Sequence, residues 1–160
     1  MRYDGTIVGG GLSTEVSGSL ENALMLDGDD DFMDVGTVTE WVEPTAFSVS
    51  LWFRRMVDHA GNDNATDNKV NNVLIAQSSG NFFNSFTNLE IGSEGDTIEI
   101  YLKTQKSGGQ ADLLRVPAMI QNDTWHHLVV TYDEQDSREL KVYVDVTIVD
   151  TNGDYDSPLN

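Results

Sequence analysis

Trp125-His126-His127-Leu128-Val129-Val130-Thr131-Tyr132-Asp133 is followed, after the polar residues 134–139, by Leu140-Lys141-Val142-Tyr143-Val144-Asp145. Two runs dense in β-branched and aromatic residues, on either side of a short polar turn, predict an antiparallel hairpin. Successive side chains of a strand point to opposite faces, so Leu140, Val142 and Val144 share one side and Lys141, Tyr143 and Asp145 the other. The same period of two sets Phe47, Val49, Leu51 and Phe53 against Ser48, Ser50, Trp52 and Arg54, and Ile98, Ile100 and Leu102 against Glu99, Tyr101 and Lys103. Further strands are expected at 73–77, 86–92, 111–116 and 124–133, divided by clusters of Gly, Asn and Asp, and no stretch keeps a helical period. Half-buried antiparallel strands in this number and spacing predict an all-β, two-sheet sandwich.

Two earlier blocks extend the reading, Leu24-Met25-Leu26-Asp27-Gly28-Asp29-Asp30-Asp31-Phe32-Met33-Asp34-Val35 and Phe47-Ser48-Val49-Ser50-Leu51-Trp52-Phe53. Together with the hairpin they resemble the laminin-G-like branch of the concanavalin A-like lectin/glucanase jelly rolls, in the family's order and across roughly residues 22–149. The resemblance implies a jelly roll, an architecture that carries lectins, adhesion modules, pentraxins and glycosidases alike, so function has to be argued from sites. The chain departs from the family in two places. Laminin-G-like domains have Asp-Gly where this sequence has Asp145-Val146, and the β-run continues through Thr147-Ile148-Val149, so the turn is expected to be moved or the hairpin to differ. The family also continues for several dozen residues beyond this point, whereas the sequence ends at Asn160. The expectation is a shortened variant, or an edge supplied by residues 1–20 or by another subunit.

A length of 160 residues with 39% hydrophobic side chains suits one domain with a real core. Residues 1–21, with Gly9-Gly10-Gly11 and Ser17-Gly18-Ser19, read as an arm or linker ahead of a jelly-roll domain over 22–160. Within the arm, Thr6-Ile7-Val8 is the one short β-prone run, able to cover an open sheet edge or to add to a partner's sheet. With 27 acidic against 9 basic residues the formal charge is −18, which repels nucleic acid and anionic membrane and suits cationic partners, calcium first; it also serves solubility. The absence of cysteine excludes disulfides and thiolate chemistry. Met1 to Gly11 lacks the apolar stretch of a secretory signal, and no later segment approaches a membrane span. A virion or extracellular surface would then be reached by another route, with the cytoplasm left open.

Asp27, Asp29, Asp30, Asp31 and Asp34 crowd hard oxygen ligands into a turn between two strands, a pattern that suits calcium; the bland reading is a solvated turn in which Asp and Gly serve geometry. The long polar loop from Asp58 to Asn72 offers a second oxygen-rich candidate, with Asp63 and Asp67 as metal ligands and Asn62, Asn64 and Asn68 as ligand-binding amides. Asp150, Asn152, Asp154 and Asp156 lack the spacing of an EF-hand and read as an acidic tail. His126 and His127 are neighbours on a strand and face opposite ways, which argues for packing and hydrogen bonding over a shared metal.

A glycosidase needs two carboxylates about 5.5 Å apart, or wider for inversion. Glu90-Ile91-Gly92-Ser93-Glu94 lacks the central Asp of the glucanase relatives and runs into a Gly95-Asp96 turn, Glu99 stands alone, and no enzyme is expected. Flat rings stack on sugars while amides and carboxylates take the hydroxyls. Phe82 and Phe83, beside Asn84 in or near an expected loop, are therefore the candidate ligand-binding aromatics, and Trp52 is assigned to the core. The leading reading is a non-catalytic, calcium-assisted recognition module for a glycan or a protein surface. The alternative is a structural or decoration protein of a larger assembly such as a virus capsid or tail, contacting other subunits and host glycans.

Overall fold

The computed structural model describes residues 5–8, 13–18, 21–26, 31–36, 38, 45–56, 72–78, 87–103, 111–133 and 139–152. The chain divides into two compact units, Met1–Val38 and Thr39–Asn160. In the first, β1 (Thr6–Val8), β2 (Ser13–Gly18), β3 (Glu21–Met25) and β4 (Phe32–Asp34) form two antiparallel ribbons, β1 with β4 and β2 with β3. Thr6-Ile7-Val8 is thus a strand, and its partner is β4, with Ile7 opposite Met33. The division at Val38 lies beyond the boundary expected at residue 21.

The second unit is a sandwich of two four-stranded antiparallel sheets. One contains β5 (Ala46–Arg54), β10 (Trp125–Asp133), β11 (Glu139–Val144) and β12 (Thr147–Asn152), in the order β12-β11-β10-β5. The other contains β6 (Val73–Ser78), β7 (Thr87–Glu94), β8 (Thr97–Lys103) and β9 (Ala111–Pro117) in sequential order. Alternation decides what each strand buries. In β10, His126, Leu128, Val130 and Tyr132 are buried while the residues between them are half-buried, and β11 repeats the pattern. Leu128, Val130, Leu140 and Val142 meet Leu89, Ile91, Ile98 and Ile100 of the facing sheet in one apolar cluster. Burying a side chain of this kind contributes about 1.5–3 kcal/mol, so the two facing stripes supply the drive for the sheets to stack.

The hairpin turn does not move, contrary to the expectation from Asp145-Val146. Val144 pairs with Thr147, and both intervening residues adopt positive φ, 50° at Asp145 and 62° at Val146, as a two-residue primed turn requires. Register wins over local preference here: the ladders that β11 makes with β10 and β12 fix both ends of the turn. The disadvantage falls on Val146, a β-branched residue held in the left-handed region with 89% of its surface exposed. Val146→Gly removes that strain and no core contact. The substitution is expected to raise stability by about 1 kcal/mol, or roughly 2–4 °C in a thermal melt, after discounting the extra freedom of glycine in the unfolded chain. An unchanged or lower melting temperature would contradict the strained-turn reading.

Candidate functional site

On the inward side of β10, every polar atom of the His126 ring is engaged. Gln121 N–H donates to Nε2 at 3.1 Å, which places the ring proton on Nδ1, and Nδ1 donates to Asp145 Oδ2 at 2.8 Å. The other carboxylate oxygen accepts the His127 N–H at 2.9 Å, and Asp145 N–H donates back to His127 O at 2.9 Å. Partial burial pushes the Asp145 carboxyl up, but the hydrogen bonds from His127 and His126 outweigh it and hold the group below its ordinary value of 3.8. This His–Asp pair pins the hairpin turn to β10. It is not poised for proton transfer to a ligand, because Nε2 already accepts from the backbone and the ring is buried against Phe53.

His127 points the other way and helps build the outer surface of the sheet. Its Nε2 lies 2.9 Å from Ser50 Oγ, and its ring stacks on Trp52 with centroids 4.8 Å apart and planes 23° from parallel. Trp52 keeps 45% of its surface exposed, which corrects its assignment to the core. The physical reason is register: Trp52 pairs with His127 on the side opposite Phe53 and His126, and only that inner side faces the second sheet. Next to this pair, the Arg54 guanidinium sits 5.6 Å over the Trp125 ring, so that ring is already capped by a cation.

From Trp52 and His127 the outer face continues in rows across three strands: Ser50, Val129 and Tyr143, then Ser48, Thr131 and Lys141, then Ala46, Asp133 and Glu139. The last two rows, with the edges of Phe47 and Tyr132, line an open depression of about 450 Å³. Lys141 Nζ pairs with Glu139 Oε2 at its rim. An exposed indole, a run of hydroxyls and an open, polar hollow thus share one sheet face.

The outer face of the other sheet differs. Glu99 lies between Gly92 and Arg115 in the ladder, is fully buried, and accepts a hydrogen bond from Arg115 Nε at 2.7 Å. Tyr101 and Glu90 are paired alongside, and burial together with that carboxylate raises the Tyr101 hydroxyl above its usual range. Glu90 and Glu99 are diagonal neighbours, but a glycosidase needs both carboxylates open to the scissile bond, and Glu99 has no exposed surface.

Of the acidic residues proposed for calcium, Asp31 is half-buried and Asp34 is exposed, with its Oδ1 accepting the Gly36 N–H at 2.7 Å. That contact is a local turn device, so one ligating oxygen of Asp34 already has a structural use. Among the described residues, no three His, Asp or Glu side chains converge as metal ligands. Asp27, Asp29, Asp30, Asp63, Asp67, Asn62, Asn64, Asn68, Phe82, Phe83 and Asn84 lie outside the described residues.

The laminin-G family profile described as the concanavalin A-like lectin/glucanases superfamily matches residues 27–160, a span that includes both four-stranded sheets. The chain belongs to the concanavalin A-like lectin/glucanase superfamily. No curated protein matches it. Within this superfamily fold, what sequence reasoning missed is the Trp52–His127 pair. The signal was available: once β5 and β10 are aligned so that their apolar positions share a face, Trp52 and His127 fall on the other face together.

Proposed function

We propose that the protein is a non-catalytic recognition module that binds a glycan on the outer face of β5, β10 and β11. The observation that carries this reading is the exposed Trp52 ring, stacked on a His127 that also bonds the Ser50 hydroxyl. A pre-set flat ring gives a sugar's apolar face something to stack on without the entropic cost of ordering a loop, and nearby hydroxyls fix its orientation. Membership in a superfamily of lectins and glucanases agrees with carbohydrate as the ligand. The enclosed Glu99 and the fully engaged His126 favour binding without chemistry.

A glycan array probed with the native protein and with Trp52→Ala tests the proposal. The variant is expected to lose about 30-fold or more in affinity, the loss typical of a central aromatic anchor, with little change in melting temperature because the ring packs on the outside. Binding by the variant as tight as by the native protein would move the site elsewhere. Absence of any glycan hit would leave a protein surface as the ligand.

Calcium assistance through the Asp27–Asp34 turn belongs to the same proposal and rests on the density of carboxylates there. Saturating calcium is expected to raise the melting temperature through binding to the folded state, and a chelator to reverse it. Identical melts in the two conditions would remove calcium from the account.

A further inference from the structure

The outer face offers more than one place to hold a ligand, and the arrangement of those places constrains the ligand's length and charge. At one end stands the Trp52–His127 stack. At the other is the depression lined by Ser48, Thr131, Asp133, Glu139 and Lys141. Ser48 and Trp52 are both on β5, so at about 3.3 Å per residue they are roughly 13 Å apart along the strand. That span exceeds a single sugar ring. The floor between them is formed by Ser50, Val129 and Tyr143, a row with two hydroxyls, of which Ser50 Oγ is already turned to His127, and with no net charge.

We infer that this face holds an extended saccharide chain without acidic groups, laid along the strands, with one ring on Trp52 and a later ring in the depression beside Ser48 and Thr131. The inference rests on the glycan-binding reading above and adds a second subsite, a minimum length and a charge class. Hydroxyl-rich rings match the lining of the depression, where Ser48 and Thr131 can both donate and accept. The cation there does not invite an anion: Lys141 is paired with Glu139, and Asp133 adds another carboxylate to the same hollow. Arg54, at the opposite end, faces the Trp125 ring. Among the described residues, a polyuronate or sulfated chain would therefore meet on this face only Lys141, paired with Glu139, and Arg54, set over Trp125, and it would approach a protein whose formal charge is −18.

Titration calorimetry on the intact protein tests this, with length series of one to six units from neutral glucans, mannans, xylans and galactans, and with matched uronate and sulfated series. Affinity for one neutral series is expected to rise with length until both subsites are filled and to change little with salt, while the acidic series show no binding. Trp52→Ala weakens every length. Ser48→Ala combined with Thr131→Val is expected to weaken the hexasaccharide by about threefold to tenfold and leave the disaccharide unchanged, as loss of a few hydrogen bonds at the distal subsite predicts. A monosaccharide bound as tightly as the hexasaccharide, or an acidic series bound as tightly as any neutral one, would overturn the inference while leaving glycan recognition intact. No binding by any saccharide would overturn both.

Discussion

Arg115→Met is expected to destabilise the sandwich by about 2–4 kcal/mol, the larger part of it through the glutamate that remains. Glu99 has no exposed surface and receives the Arg115 Nε–H at 2.7 Å. Removing the guanidinium takes a charge-assisted hydrogen bond from a buried carboxylate, whereas half of the Arg115 side chain is already in solvent, which keeps the loss below that of a fully enclosed pair. Adding Glu99→Gln to Arg115→Met should recover most of the stability, because a neutral amide of the same shape carries no such desolvation cost. The two substitutions are in contact and are therefore expected to be strongly non-additive. Urea melts of the native protein, both single variants and the double variant measure the coupling. A loss below about 0.5 kcal/mol for Arg115→Met would mean that the pair has the small value of a surface ion pair.

Arg55→Met should cost about 1.5–3 kcal/mol and act mainly at one end of the sandwich. Arg55 follows directly on β5 and is only 8% exposed. Its Nε donates to Asn122 Oδ1 and its Nη2 to Gly95 O, each at 2.7 Å, with Nη1 3.4 Å from Ser93 Oγ. Its own carbonyl accepts the Asp123 N–H at 2.8 Å. One planar side chain therefore ties the end of β5 in the first sheet to the β7–β8 turn in the second and to the turn that leads into β10. Lysine offers a single ammonium on a flexible stem and cannot reproduce the fork, so Arg55→Lys should recover less than half of the loss. Hydrogen exchange should report faster opening at 93–97 and 121–124 in Arg55→Met, with the centre of β10 still protected. Equal acceleration along all of β10 would show that the residue matters to the core at large and not to this junction.

Most strands were legible because alternation is a direct readout of a sheet with one buried face. The run from Trp125 to Asp133 alternates half-buried and buried up to its last, exposed residue, and its pairing with Leu140 to Val144 follows the expected hairpin. The superfamily was legible for a related reason, since two of the three blocks that carried the resemblance are the core strands β5, β10 and β11, whereas Phe32 and Met33 of the remaining block are exposed. Other features depend on long-range register. The clip formed by His126, Asp145 and Gln121 needs the β10–β11 alignment before any of its members can be paired. Glu99 alternates as a solvent-side residue between Ile98 and Ile100, yet it is buried beside Arg115 of the next strand, a pairing that alternation alone does not reveal. Trp52 misled in the opposite direction: its size argued for the core, whereas its phase with Ser48 and Ser50 argued for the outside, and phase was the better guide. The turn at Asp145–Val146 was hidden because the sequence there breaks the rule that places glycine at positive φ.

Glycan recognition is proposed for the outer face of β5, β10 and β11, centred on Trp52 and His127. Amide and indole chemical shifts, followed by NMR while the neutral oligosaccharide returned by the array is titrated in, test it most directly. The largest shifts are expected at the Trp52 indole and at the amides of Ser48 to Trp52, His127 to Thr131 and Lys141 to Tyr143, with the sheet from β6 to β9 nearly unmoved. Shifts confined to residues 58–72 and 81–88, or to β6 through β9, with the Trp52 indole unchanged at saturation, would contradict it.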